Sequence, residues 1–331
     1  MSQIPEAVKV LYLYGEKKDY WHESFKRKTF RYYWKYGSTW LMRKAIQHKM
    51  KGQRFDTIIS FLEGAPLLFH NLIRHFADRN IAWVHCDLYN YHWTENVFNG
   101  SGLEKLYYAN MDEIVFVSRN SMEAFGKLYD INVPKRCIYN IIDVDKIHAK
   151  ALQKEVSHQA FTVIAVGRLT KVKGFDRLVR VAKMFKENGY HLSFQILGIG
   201  EDEQELLALC DELGVKDCIT FLGFQNPPYP YLKAADVLIS TSESEGLPFV
   251  ICEALALGIP VVATRTAGSA ELLEDGKYGL LTEHDDISIY EGLKTLVDNK
   301  QLRDDFKLKA KERAEIFDVK RTMQMVYHLI G

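Results

Sequence analysis

The 331-residue sequence lacks any run approaching the roughly 20 apolar residues that a bilayer-spanning helix needs. Its opening, MSQIPEAVKV, lacks the basic start and apolar core of a secretory leader. These absences set the expectation of a cytoplasmic chain, neither secreted nor threaded through a membrane. Net charge is missing too: 43 Lys plus Arg balance 43 Asp plus Glu, which argues against a general nucleic-acid binder and against an acidic disordered chain. The five cysteines, Cys86, Cys137, Cys210, Cys218 and Cys252, are odd in number and contain no C-x-x-C pair. That usage fits a reducing compartment better than a disulfide or zinc framework. No repeat or low-complexity tract is visible. The length suffices for two ordinary domains.

From about residue 161 short apolar runs alternate with amphipathic ones: FTVIAVG, LSFQILG, CITFLG, DVLIS, PVVAT and YGLL read as strands, separated by helices such as FDRLVRVAKMFKEN, EDEQELLALCDELG and FVICEALALG. This order predicts a doubly wound parallel sheet. The first 143 residues alternate less regularly, with VKVLYLY, DTIISFL, IAWVH, EIVFVS and CIYNII as strands and PLLFHNLIRHFADR and SMEAFGKLY as helices. The expected fold class is α/β with two Rossmann-like domains, 1–150 and 151–331, divided in the polar stretch between Asp143 and Gln159.

In open α/β sheets ligands bind beyond the carboxyl ends of the strands. Three loops qualify. GRLTKVKGFD carries Arg168, Lys173 and Gly174 ahead of a helix, a set able to cover a diphosphate; taken alone it reads more readily as two solvated cations on a surface loop. LGIGEDE carries Gly198 and Gly200, which by themselves signal little more than a tight turn. SESEGLPFVICEAL places Glu245 in a loop, Pro248 near the start of a helix, and Glu253 within that helix among Ile251, Cys252, Ala254 and Leu255. A carboxylate in so apolar a setting needs hydroxyl or cation partners.

These segments, VGRLTKVKGFD, LGIGEDEQEL, ITFLGFQ, ADVLISTSESEGLPFVICEALALGIPVVAT and GSAELLEDGKYGLL, stand in the order found in retaining glycosyltransferases of the GT-B fold, the family-four group, which the chain resembles from about 161 to 285. Glu245 and Glu253 match its E-x7-E motif. The resemblance implies two Rossmann-like domains facing a cleft, and a nucleotide sugar, by family frequency a UDP-sugar, held by the second. It implies that Arg168 and Lys173 neutralise the diphosphate, that Glu253 accepts from ribose hydroxyls, and that Glu245 contacts the donor sugar. The backbone of Gly246, Leu247, Pro248 and Phe249 then touches sugar or phosphate. His85, ending IAWVH, matches a histidine that faces donor sugar and acceptor, which makes Glu245 and His85 the catalytic candidates. No metal and no cofactor are implied, in keeping with the absence of a suitable D-x-D pair. The implied reaction is metal-independent glycosyl transfer with retention by front-face departure and attack. A hexose or N-acetylhexosamine would pass to a saccharide or lipid-linked saccharide in polysaccharide assembly.

The opening residues depart from the family pattern, whose first strand, glycine-rich loop and helix have no counterpart before IPEAVKVLYLYG. The first domain is therefore expected to be shortened, with a helix at about 317–330 packing back toward it. The departure leaves open a catalytically silent nucleotide-sugar-binding subunit that needs a partner; a nucleotide-sugar epimerase of the same fold is a further alternative, against which EGLPFVICE matches the transferase pattern more closely. Between Lys17 and Arg54 twelve Lys or Arg stand against Asp19 and Glu23, interleaved with aromatic residues from Trp21 to Trp40. That mixture suits an anionic membrane surface, which sets the expectation of a peripheral membrane protein at the inner face of the cytoplasmic membrane.

Overall fold

The computed structural model describes residues 8, 28, 31–33, 38–98 and 100–331. The expected strand at VKVLYLY, apart from Val8, and residues 17–27, 29–30 and 34–37 of the cationic stretch lie outside the described residues.

In the N-terminal part β1 (Phe55–Ser60), β2 (Ala77–Val84), β3 (Glu113–Phe116) and β4 (Lys135–Cys137) form one sheet in chain order, and β1 and β2 pair in parallel. Two expectations need correction here. The helix anticipated from Pro66 to Arg79 stops at Ile73, followed by a short 3-10 turn, and β2 begins at Ala77. The sequence ADRN is polar enough to continue a surface helix, but pairing of Phe55 with Ala77 draws it into the sheet. Ion pairs of Asp78 with Arg54 and of Arg79 with Glu113 accommodate its charges there. The strand expected over CIYNII is confined to Lys135–Cys137, and residues 138–143 are irregular up to Asp143, which caps the helix Val144–Ala151 by accepting from Lys146 N.

The C-terminal part follows its pattern closely. Strands β5 (Phe161–Val166), β6 (Leu192–Leu197), β7 (Ile219–Gly223), β8 (Val237–Ser240), β9 (Val261–Thr264) and β10 (Leu280–Thr282) form a six-stranded sheet in the order β10-β9-β8-β5-β6-β7. Every neighbouring pair is parallel. The inner strands are continuous apolar runs because helices cover both faces: all four residues of β9 are buried, as are Val163, Ile164 and Ala165 of β5. On one side Val179, Ala182 and Phe185 of the helix Phe175–Glu187 pack with Ile289, Leu293 and Leu296 of the helix Asp286–Asp298.

Packing divides the chain into two compact units: Met1–Val84 with Trp93–Val115 and Tyr129–Arg136, and His85–His92 with Phe116–Leu128 and Cys137–Gly331. The segment 116–128 goes with the second unit for a specific reason. Glu271 accepts from the backbone N–H groups of Arg119 (3.0 Å) and Asn120 (2.8 Å) at the start of the helix Arg119–Leu128, and from the Tyr139 hydroxyl (2.6 Å). A carboxylate at a helix start satisfies open N–H groups and complements the helix dipole.

Candidate active site

The strand order of the six-stranded sheet reverses between β5 and β8, and such a reversal opens a crevice beyond the carboxyl ends of the two strands. The loop carrying Arg168 and Lys173 follows β5, and the loop carrying Glu245 follows β8. The two are bonded together. Glu243 N donates to Val172 O (2.8 Å), and Thr241 Oγ1 donates to the carbonyls of Lys173 (3.0 Å) and Gly174 (2.8 Å). This approach requires glycine at 174, where φ is +61° and a Cβ would stand 2.2 Å from Thr241 O.

At the centre Lys173 Nζ donates to Glu245 Oε1 at 2.5 Å, and Ser242 Oγ donates to the same oxygen at 2.8 Å. The Lys173 and Glu245 side chains retain 27% and 15% of their exposure, enough shielding to strengthen the pair while leaving it reachable. Arg168 is far more open: its side chain is 73% exposed and Nη2 lies 3.2 Å from Glu201 Oε2. It lines a cavity of about 1040 Å³ over the ends of β5, β6 and β7. Ile199 and Phe224 present exposed apolar surface to that cavity, and Gln225 and Asn226 add polar groups. Apolar walls with a few fixed polar groups suit a small ligand carrying a flat ring.

The glycines of LGIGEDE shape this cavity. A Cβ on Gly198 would stand 1.8 Å from Gly167 O, and one on Gly200 would stand 2.1 Å from Leu169 O. Their absence lets Gly167 N reach Leu197 O (2.9 Å) and Leu169 N reach Ile199 O (3.1 Å), which fixes the Arg168 loop to the end of β6. The turn signal read from the sequence was thus weaker than the role the structure gives these two positions.

Gly246 is held equally closely, since a Cβ there would stand 2.1 Å from His85 O. Gly268 N donates to Glu245 O (2.9 Å), and Ser121 Oγ approaches Gly246 O at 3.4 Å. Leu247 and Pro248 are buried, whereas Phe249 is exposed. The structure therefore brings His85 to the Glu245 loop through its backbone and pins residues 246–248 from behind. Pro248 stands at the N-cap of the helix Phe249–Leu257, and Gly258, with φ +70°, closes that helix.

Glu253 lies about one turn into that helix, between the buried Cys252 and Ala254. Burial pushes its carboxyl up to about 7, and a hydrogen bond from Tyr229 partly opposes the rise. Tyr229 opens the helix Tyr229–Ala234, and burial next to Glu253 pushes its phenol up to about 12. Neither Tyr229 nor Ser242 was singled out by sequence. Tyr229 comes from a separate helix and no spacing signals it, whereas Ser242 could have been found as the hydroxyl three residues before Glu245. Among the described residues, no group of three or more His, Cys, Asp or Glu is arranged to hold a metal ion.

A switch-point crevice with a lysine–glutamate pair at its centre and a second carboxylate on the adjoining helix, in a chain of two α/β units, defines a glycosyltransferase of the GT-B fold. The chain belongs to the family of glycosyl transferases group 1, whose pattern matches residues 148–313. It is 35% identical over 285 residues to N-acetylgalactosamine-N,N'-diacetylbacillosaminyl-diphospho-undecaprenol 4-alpha-N-acetylgalactosaminyltransferase of Campylobacter jejuni, a match covering 83% of this chain and 76% of that one. A putative colanic acid biosynthesis glycosyltransferase of Escherichia coli, WcaL, is 34% identical over 172 residues, covering 49% of this chain and 42% of the relative. In fold the chain is similar to Anabaena Alr3699/HepE in complex with UDP-glucose, with a TM-score of 0.73 at 22% identity over 88% of this chain and 81% of that one. The sequence-based identification of the family, the fold class and the enzyme class is thereby borne out.

Proposed function

We propose that this glycosyltransferase moves a hexose or N-acetylhexosamine, with retention of configuration, from a UDP-sugar to a lipid-linked saccharide. The observation that carries the reading is the Lys173–Glu245–Ser242 cluster at the switch point, set beside the Arg168 cavity. In the free protein Lys173 and Arg168 are neutralised by Glu245 and Glu201. A diphosphate would take over both cations with charge-assisted bonds, each worth roughly 1.5–3 kcal/mol. The exchange would release Glu245 to accept from hydroxyls of the donor sugar, so that substrate binding itself arms the carboxylate. Glu253, placed next to Tyr229, would accept from the ribose hydroxyls. As the bond to the leaving diphosphate breaks, Lys173 and Arg168 would stabilise the charge that develops. His85 and the backbone of 246–248 would bound the sugar, with no metal or cofactor called on.

The lipid-linked acceptor is supported by the name of the Campylobacter relative, which acts on a diphospho-undecaprenol saccharide. It is supported also by the helix Trp40–Met50, which buries Met42 and Ile46 and exposes Trp40, Arg43, Lys44, His48 and Lys49. Lys44 Nζ stands 4.2 Å from the centre of the Trp40 ring. A cationic face with an exposed tryptophan suits an anionic lipid surface. Among the described residues no helix is long and apolar enough to cross a membrane.

The test is to incubate the purified chain with UDP-glucose, UDP-galactose and their N-acetylated forms, together with saccharide-diphospho-undecaprenol acceptors, and to assign the anomeric configuration of any product by NMR. A product with retained configuration supports the reading. Donor binding without transfer to any acceptor would favour a binding subunit, and an isomerised sugar nucleotide in the absence of acceptor would favour an epimerase.

A further inference from the structure

The Arg168 cavity lies over the ends of β5, β6 and β7, and a second cavity, of about 450 Å³, lies over the other half of the same sheet. Glu243 follows β8, Arg265 follows β9 and His284 follows β10, and the wall is completed by Asp87, Asn90 and the Thr266 position. The two cavities flank the Glu245 loop. Glu243 is two residues from Glu245, Gly268 N holds Glu245 O (2.9 Å), and Asp87 is two residues from His85, whose carbonyl packs on Gly246.

The side chains around the second cavity are held in place by one another. Asp87, buried, accepts from the backbone N–H groups of Tyr89 (3.0 Å) and Asn90 (3.1 Å) and from Asn90 Nδ2 (2.5 Å), which fixes the turn carrying Asn90. Glu243 pairs with Arg177, and His284 Nδ1 stands 3.5 Å from its other oxygen. His284 Nε2 donates to Arg265 O (3.0 Å). Arg265 directs Nη1 to Asp275 (2.7 Å), with Glu283 3.9 Å from Nε. The carboxylates Asp87, Glu243, Asp275 and Glu283 outnumber the two guanidiniums, so the fixed charge disfavours an anion. What remains is a set of oriented donors and acceptors beside a small apolar patch from Ala267 and Ala270. Sugar hydroxyls donate and accept at once, and a pyranose ring has apolar C–H faces, so a neutral saccharide satisfies this lining where a phosphate does not.

We infer that this second cavity is a saccharide subsite that receives the sugar residues of the acceptor, on the side of the Glu245 loop opposite the nucleotide. The inference rests on the proposed transferase reading and deepens it. The probes are free glucose, galactose, N-acetylglucosamine and N-acetylgalactosamine, observed by saturation-transfer NMR with and without UDP. The proteins are the wild-type chain, Asn90→Ala on its exposed turn, and Arg265→Ala. UDP affinity is measured by calorimetry and UDP-sugar hydrolysis is followed for each protein.

The expected result is a saccharide signal in the wild type that falls several-fold in both variants, with UDP affinity unchanged within about twofold and hydrolysis of UDP-sugar retained. Loss of UDP-sugar hydrolysis together with the saccharide signal would place the donor sugar here and overturn the acceptor assignment. A signal absent from the wild type, or equal in all three proteins, would overturn the subsite. Failure of UDP to bind while the saccharide signal stays variant-sensitive would sink the donor reading and leave the subsite standing.

Discussion

Glu253 shows at the scale of one residue what the motif alone does not convey. Its carboxyl is raised from about 4.5 to about 7, so in the folded protein it is largely protonated at pH 6 and ionised at pH 8. The unfolded chain ionises it from about pH 4.5 upward, so folding becomes costly as pH rises from there to about 7 and the cost is constant above that. The size is on the order of 3 kcal/mol. Glu253→Gln is therefore expected to be more stable than wild type in urea denaturation at pH 8, and to match it at pH 4.5. If the ionised form accepts from ribose hydroxyls, UDP affinity of the wild type falls as pH drops below 7, and the Gln variant loses both affinity and pH dependence. A Gln variant less stable than wild type at pH 8 would contradict the burial argument. Glu245 makes the opposite kind of case. Since Lys173 already bonds to it, Glu245→Gln is expected to leave UDP affinity equal or up to about tenfold higher while lowering the transfer rate by about 100-fold or more. Calorimetry and turnover measured on the same variant separate these effects. Sequence placed both carboxylates correctly on loop and helix, but their partners Ser242 and Tyr229 emerge only from the folded chain.

Among the loops and strands, legibility tracked burial. The strands of the C-terminal sheet are unbroken apolar runs flanked by glycine and polar turns, so β5 through β10 were readable to within a residue or two. Of the Ala77–Val84 strand only the apolar second half was readable, as IAWVH, because Asp78, Arg79 and Asn80 are polar and their place depends on Phe55 and Glu113, far away in sequence. The loops hid a different kind of information. A glycine in a loop signals a turn, but the need for bare backbone at Gly198, Gly200 and Gly246 comes from which carbonyl lies opposite. Gly198, with φ +148° as well as a blocked Cβ position, is the most demanding. Gly198→Ala is expected to cost at least about 1–3 kcal/mol, lowering Tm by several degrees, and to weaken UDP binding because the Arg168 loop is displaced. Thermal unfolding with and without UDP tests this, and an unchanged Tm with unchanged affinity would show that the loop yields freely.

For the whole molecule, balanced overall charge coexists with a strongly cationic N-terminal stretch, whose helix Trp40–Met50 falls within the described residues. Each lysine or arginine near an anionic membrane contributes roughly 1 kcal/mol. Lys44→Glu with Arg43→Glu is therefore expected to reduce binding to phosphatidylglycerol-containing vesicles by more than tenfold at low salt, with UDP affinity unaltered. Flotation on neutral and anionic vesicles distinguishes this from apolar adhesion, and equal binding to both would count against an electrostatic contact.

In the proposed reading the β5–β8 switch point holds a nucleoside diphosphate through Lys173 and Arg168. Calorimetric titration of UDP into the wild type, Lys173→Ala and Arg168→Ala tests it most directly. Saturable binding to the wild type, weakened roughly 10- to 100-fold in Lys173→Ala and less in the more exposed Arg168→Ala, is the expected result. Binding of equal strength in all three proteins would contradict it.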